Sequence, residues 1–135
     1  MVRYLFHDKI ISLADVTKHS TGDVALLGIV PKYSKQIPLS QLIVDKNPKS
    51  LMSEAFRTLR TNLKFLDSTE GSKIISITST ISGEGKTFVA INMAGILAFT
   101  DKKVVILDLD LRKPKIHMGF GVKNEVGMST ILTGL

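Results

Sequence analysis

Apolar side chains recur at helical spacing in two long parts of the chain. The first helix is expected to begin at about Pro48 or Ser50. Its apolar residues lie three or four apart and form one stripe: Met52, Phe56, Leu59, Leu63 and Leu66. The second pattern covers residues 86–99 and predicts an apolar helix.

Two shorter helices are expected as well. Ser12 is a suitable N-cap for a helix from Ser12 to His19, because Asp15 stands at the N3 position, and Gly22 provides an end signal. A weak helix is expected from Gly127 to Thr133.

Three apolar runs predict strands: 24–30 (VALLGIV), 73–79 (KIISITS) and 103–109 (KVVILDL). The apolar run in the last is continuous, so we expect it to be buried on both faces. Residues 31–49 carry three of the four prolines and are expected to form an extended connector.

The order strand, loop, helix, strand over residues 73–109 predicts a parallel βαβ unit with a right-handed crossover. The fold class that follows is α/β, with a parallel sheet flanked by helices.

Composition sets bounds on the function. A chain of 135 residues is long enough for one core, and the absence of cysteine excludes disulfides and cysteine zinc sites. The net charge of +6 suits an anionic partner, although general solubility explains it equally well. No apolar segment reaches the roughly 20 residues of a membrane span. Basic residues do not cluster with aromatic ones, so we expect no nucleic-acid partner.

The stretch TSTISGEGKT, residues 78–87, joins the second predicted strand to the long apolar helix. Gly83 and Gly85 supply a permissive backbone, Lys86 is placed to reach β- and γ-phosphates, and the Thr87 hydroxyl is placed to bind Mg²⁺. Thr80 stands where such phosphate loops usually have their first glycine. The plainer interpretation is a turn with a surface lysine, which the position between strand and helix disfavours.

Asp108 and Asp110 lie at the carboxyl end of the third predicted strand, where ligands bind in open α/β sheets. Their carboxylates suit the Mg²⁺ shell or the role of base toward an incoming hydroxyl, and the residue types leave open which does which. Arg112 adds a cation for the transferring phosphate or for the aspartates. The alternative is a polar, solvated strand end.

Glu54, Arg57 and Arg60 lie three residues apart beside the apolar stripe of the 50–66 helix. Without further context, a solvated flank with a weak Glu–Arg pair is the favoured interpretation.

Together these motifs resemble the cytoplasmic ATP-binding domain of the bacterial tyrosine kinases (BY-kinases) that accompany polysaccharide co-polymerases. TISGEGKT is similar to the family's Walker A loop, and Asp108, Asp110 and Arg112 to its Walker A′ motif. The E-x-x-R-x-x-R pattern of Glu54, Arg57 and Arg60 resembles the motif that joins subunits of a ring-shaped oligomer. The resemblance covers about residues 10–135.

The resemblance implies a P-loop NTPase-like fold that binds ATP or ADP with Mg²⁺ and transfers phosphate to a tyrosine-containing protein. It implies metal ligation by Thr87, Asp108 and Asp110, and catalytic roles for Lys86, Asp108, Asp110 and Arg112. The implied nucleotide-binding set is Ser82, Gly83, Glu84, Gly85, Lys86, Thr87 and Phe88.

The family setting implies a homo-oligomeric ring and a membrane-embedded co-polymerase segment as partners. It also implies a cytoplasmic location at the inner face of the bacterial membrane and a role in capsule or exopolysaccharide production. Residues 1–49 are then a juxtamembrane-type segment, and residues 50–135 a partial P-loop kinase domain. No Walker B strand or tyrosine cluster follows Asp110, so we expect a fragment with reduced or no activity.

Two alternatives remain. Septum-positioning and partition ATPases of the Min/Par type share the fold but carry a signature lysine where this chain has Ile81, which argues against them. The other alternative is a non-catalytic oligomerisation module that nucleotide regulates.

Overall fold

The computed structural model describes residues 12–20, 22, 24–33 and 41–134. Helices form most of the regular structure there, and those observed are α1 (Leu13–His19), α2 (Ile43–Lys46), α3 (Leu51–Leu66), α4 (Lys86–Ala98), α5 (Ile116–Phe120) and α6 (Met128–Thr133). The four helices expected from the sequence are all present. Helices α2 and α5 lie where none was predicted, so the expectation of an extended connector over 31–49 is wrong at α2. Residues 34–40 of that connector lie outside the described part.

The short helix α1 begins as its sequence predicts. Ser12 Oγ accepts a hydrogen bond from the Asp15 N–H at 3.3 Å, and the Asp15 carboxylate accepts one from the Ser12 N–H at 2.9 Å. This reciprocal pair is the capping box. The helix ends at Ser20, whose N–H donates to the Val16 carbonyl, rather than at Gly22.

The core lies between α2, α3 and α4. The buried apolar cluster consists of Ile43, Val44, Met52, Phe56, Leu59, Met93 and Ile96. The apolar stripe of α3 therefore faces the core over most of its length. It leaves the core at its end, where the Leu66 side chain is 58% exposed.

The three segments predicted as strands form no β-strand within the described residues. In 73–79 only Ile77 packs against the core, while the Ile74 side chain is fully exposed. In 103–109 the Val105 side chain is 82% exposed, so the prediction that this run is buried on both faces is wrong. Parallel strands are stable where both faces are covered. The exposed side chains of Ile74 and Val105 show that neither segment is covered on both faces.

Residues 24–33 lie along α3 without forming a strand. Asn62 Nδ2 donates a hydrogen bond to the Leu27 carbonyl at 2.8 Å. A Cβ on Gly28 would stand 2.9 Å from the Leu59 side chain, so this close approach requires glycine. At the end of the segment the Tyr33 ring packs against Phe88, with 5.9 Å between ring centroids.

None of the helices in the described residues is long and apolar enough to cross a membrane.

Candidate functional site

The loop before α4 contains two glycines with positive φ angles. Gly83 and Gly85 have φ angles of 94° and 98°, in the left-handed region that favours glycine. Gly85 is the N-cap of α4, and its carbonyl accepts the first helical hydrogen bond, from the Val89 N–H at 2.9 Å. The first N–H groups of a helix have no partner within it and carry the positive end of its dipole. A phosphate group fits this position.

Side chains within the loop hold its first half. The Ile81 N–H donates to the Glu84 carboxylate at 3.2 Å, and Ser79 Oγ donates to the Ile81 carbonyl at 3.0 Å. Glu84 thus anchors the backbone at Ile81, whose own side chain is 65% exposed.

Lys86 connects the loop to the predicted carboxylates. Its Nζ lies 3.7 Å from Asp110 Oδ2, and the two side chains are 38% and 40% exposed. Exposed pairs of this kind stabilise a protein by about 0–1 kcal/mol. The contact is therefore important because it brings Lys86 and Asp110 together, not because of the energy that it contributes.

The pKa of the Asp110 carboxyl lies below its usual value of 3.8. The largest cause is the hydrogen bond that its Oδ1 accepts from the Lys113 N–H at 3.1 Å. The charge of Lys86 and the Arg112 N–H lower the pKa further, whereas desolvation opposes them. Asp110 is therefore ionised at neutral pH, as a metal ligand or an acceptor of a hydroxyl proton must be.

Asp108 holds the backbone of the turn that follows. Its Oδ1 accepts a hydrogen bond from the Asp110 N–H at 3.2 Å, and its Oδ2 accepts from the N–H groups of Lys115 and Ile116 at 2.9 and 3.0 Å. Both oxygens are therefore engaged, Oδ1 within the turn and Oδ2 at the start of α5. The two aspartates, which the sequence left interchangeable, have different contacts.

The remaining predicted residues of this region lie on the surface or beside the loop. Thr87 and Phe88 are half-buried in the first turn of α4, whereas Ser82 and Arg112 are exposed. In the described part of the chain, no group of three His, Cys, Asp or Glu side chains is arranged to hold a metal ion.

A cavity of about 280 Å³ lies beside the turn that follows Asp108. Its lining includes Asp108, His117 and Met128 but no residue of 78–87. The cavity is therefore separate from the loop.

Glu54, Arg57 and Arg60 of α3 make contacts outside the loop. Arg57 pairs with Glu54 and also donates to the Pro48 carbonyl at 2.7 Å. Arg60 donates to the Ile96 carbonyl at 3.4 Å. Ile96 is ten residues beyond Lys86, or about 15 Å along α4 at 1.5 Å per residue. The Arg60 side chain therefore contacts α4 near the end opposite the loop.

One polar residue with extensive contacts was missed by the sequence analysis. Asn92 is fully buried in α4. Its Oδ1 accepts from the N–H groups of Ile43 and Val44 at 2.8 and 3.2 Å, and its Nδ2 donates to the carbonyls of Gln41 and Phe88 at 2.9 Å. A lone amide in an otherwise apolar helix was the available signal, because a buried polar group needs partners.

The chain matches known proteins over the same region. The family model of the CobQ/CobB/MinD/ParA nucleotide binding domain matches residues 75–131. The tyrosine-protein kinase YwqD of Bacillus subtilis is 44% identical over 91 residues, which are 67% of this chain. The tyrosine-protein kinase Wzc of Salmonella typhi is 39% identical over 103 residues, or 76% of this chain. The tyrosine-protein kinase Etk of Escherichia coli is 42% identical over 101 residues, or 75%.

The aligned regions cover 38% of the Bacillus protein and 14% of each of the other two. The family match confirms the α/β class and nucleotide binding as the general property of the domain. With the loop geometry and these relatives together, the chain belongs to the family of bacterial tyrosine-protein kinases.

Proposed function

We propose that residues 78–112 form the ATP site of a protein-tyrosine kinase domain. The observation that carries the proposal is the 3.7 Å approach of Lys86 Nζ to Asp110 Oδ2 beside a loop with two left-handed glycines. This contact brings the two separate sequence motifs to one place, at the N-terminus of α4.

The residues of the loop then bind the phosphates. The backbone from Gly83 to Thr87 donates N–H groups to the polyanion, and Lys86 moves from Asp110 to the β- and γ-phosphate oxygens. Phosphoryl transfer depends mainly on positioning and on neutralising charge, so this exchange of partners is the central step for the protein.

The residues also fit Mg²⁺. The Thr87 hydroxyl and the ionised Asp110 carboxylate are the oxygen ligands that Mg²⁺ takes, together with phosphates and water. The ion supplies neutralisation of the developing charge on the phosphate oxygens. Asp110 is the better candidate for metal ligand or base, because Asp108 already accepts three backbone N–H groups. Arg112, exposed two residues beyond Asp110, supplies a further cation.

We further propose that segments 73–79 and 103–109 pair as neighbouring parallel strands once both faces are covered. The support is that α4 lies between them in the chain and that Lys86, which follows the first segment, lies 3.7 Å from Asp110, which follows the second. Residues 50–135 then carry the nucleotide site, and residues 1–49 precede it as the juxtamembrane-type segment.

The substrate and setting are proposed from the family. The acceptor is a tyrosine of a protein, and the protein acts in capsule or exopolysaccharide production at the inner face of the membrane. Glu54, Arg57 and Arg60 would contribute to the contact between subunits of an oligomer. Glu54 is the accessible member, with 61% of its side chain exposed.

Titration calorimetry with MgADP tests the site directly. Lys86→Met should weaken binding about 10- to 100-fold, because a charged hydrogen-bonding group contributes about 1.5–3 kcal/mol. Lys64→Met removes the same charge from an exposed position on α3 and should leave the affinity unchanged. Equal affinities for both variants would contradict the assigned role of Lys86.

Incubation with ATP and Mg²⁺, followed by phosphotyrosine detection, separates the enzyme from the alternative. Lys86-dependent phosphotyrosine would support the kinase. If the protein binds nucleotide but transfers no phosphate to tyrosine, the result would favour a nucleotide-regulated oligomerisation module.

A further inference from the structure

Residues 41–44, which we call the clasp, lie between α4 and α5 and contact both. Three of the clasp's backbone groups pair with the Asn92 amide: the Gln41 carbonyl and the N–H groups of Ile43 and Val44. The Gln41 N–H donates in the other direction, to the Gly119 carbonyl of α5 at 2.7 Å. One short backbone segment therefore joins the two helices.

Glycines allow this close approach on each helix. A Cβ added to Gly95 of α4 would overlap the Leu42 side chain and stand 3.1 Å from Val44 Cγ2. A Cβ added to Gly119 of α5 would overlap the terminal methyl of Ile91. The clasp, α4 and α5 are thus packed so closely that a methyl group at either glycine would force a neighbouring side chain to shift.

Helix α5 is in turn fixed to the carboxylate turn. Its first residue, Ile116, and its N-cap, Lys115, donate their N–H groups to Asp108 Oδ2. Asp108 also accepts the N–H of Asp110, whose carboxylate faces Lys86. The contacts form a closed circuit: α4 to clasp, clasp to α5, α5 to the turn, and the turn back to Lys86 at the start of α4.

We propose that Asn92 is a positioning residue, which through the clasp and α5 holds the Asp110 carboxylate at the phosphate loop. Phosphate binding by the loop itself does not need these contacts, because Gly83, Gly85 and Lys86 lie in the loop and at the start of α4. The Mg²⁺-dependent part of nucleotide binding does need it, since Asp110 lies on the α5 side. This division rests on the proposed function.

The first measurement is the ratio of ADP affinities with and without Mg²⁺, in the full chain. Asn92→Ala should reduce that ratio about tenfold. This is the lower end of the usual loss of metal affinity when a residue that orients a metal ligand is removed. It should leave Mg²⁺-free ADP binding unchanged. Leu59→Ala, a buried substitution in α3 outside the circuit, is the control for lost stability alone. Such a loss lowers both affinities by the same factor and leaves their ratio unchanged.

Gly119→Ala tests the circuit from its other side, with Asn92 intact. The added methyl should separate α5 from Ile91 and reduce the same ratio. This variant decides the matter if Asn92→Ala does not fold. An unchanged ratio in whichever of these variants folds would overturn the proposal, as would an equal reduction in Leu59→Ala.

Hydrogen–deuterium exchange provides a readout that does not depend on nucleotide. Asn92→Ala or Gly119→Ala should speed exchange at residues 115–121 more than at 55–66, whereas Leu59→Ala should do the reverse. If the unsubstituted chain binds no ADP, the proposed function fails, and exchange alone decides whether the circuit exists. Equal acceleration in both regions would then contradict it.

Discussion

Asp108 and Asp110 show how two identical side chains, two residues apart, acquire different roles. Asp108 accepts three backbone N–H groups and fixes a turn, whereas Asp110 accepts one from Lys113 and faces a lysine. The sequence pattern around the two aspartates cannot reveal this difference, because it depends on how the backbone folds after Arg112. The N–H groups that the two carboxylates accept from belong largely to that later segment. The pKa of Asp110 is the measurable consequence.

Replacing Lys86 with Met should raise the pKa of Asp110, but not to its usual value of 3.8, because the Lys113 N–H is the larger cause of the lowering. The lowered pKa means that Asp110 stabilises the fold above its unfolded pKa, and that this contribution is lost as the pH falls through the folded pKa. Lys86→Met should therefore reduce the stability that Asp110 provides above its unfolded pKa. Carboxyl NMR titration measures the shift.

Asp67 is the internal control for that titration. Hydrogen bonds from Lys73 and Thr69 hold its pKa at about 2, independently of Lys86. Its titration should not change in Lys86→Met. A parallel shift of both carboxyl groups, or no shift of Asp110, would contradict the assigned contact.

At the scale of elements, local capping chemistry determines where α3 begins. Ser50 ends the preceding turn with an extended backbone, and its Oγ accepts the Ser53 N–H at 3.2 Å. Ser53, fully buried, donates its own hydroxyl to the Asn47 carbonyl at 2.5 Å. The start of α3 is thereby joined to the end of α2, and both helices contribute to the core.

Ser50→Ala should lower the free energy of unfolding by about 1 kcal/mol, the usual effect of losing an N-cap hydroxyl. Urea denaturation followed by circular dichroism measures it. Ser72→Ala, at an exposed position outside the helices, is the matched control and should change the value by less than about 0.5 kcal/mol. Similar effects from the two substitutions would argue against the cap.

At the scale of the whole molecule, the buried apolar core is small and lies between helices, while the former strand candidates remain at the surface. Phe56 is fully buried among α2, α3 and α4, whereas Val105 is 82% exposed. Stability should therefore depend on the helical cluster.

Phe56→Ala should cost about 3–5 kcal/mol of unfolding free energy, as expected for an aromatic core residue. Val105→Ala should change it by less than about 0.5 kcal/mol, because the side chain has little contact to lose. Chemical denaturation measures both. A loss of about 2 kcal/mol for Val105→Ala would mean that residues 103–109 are packed on both faces, as the proposed sheet requires.

The sequence was sufficient wherever local chemistry decides the structure. Capping boxes and helical stripes act over three to seven residues, so α1, α3, α4 and α6 were predicted at nearly their observed bounds. Helix α2 was missed because its first N–H groups are satisfied by Asn92, some fifty residues away. No pattern within residues 31–49 contains that information.

By itself, the sequence determined the helices α3 and α4 and membership of a nucleotide-binding α/β class. Only the tertiary structure decided that Asp110 rather than Asp108 faces Lys86, and that residues 41–44 join α4 to α5. It also decided that the apolar runs at 73–79 and 103–109 are not strands within the described residues. The physical reason is common to all three. Pairing of backbone groups and burial of faces depend on partners distant in the chain, whereas helix and turn preferences are satisfied by near neighbours.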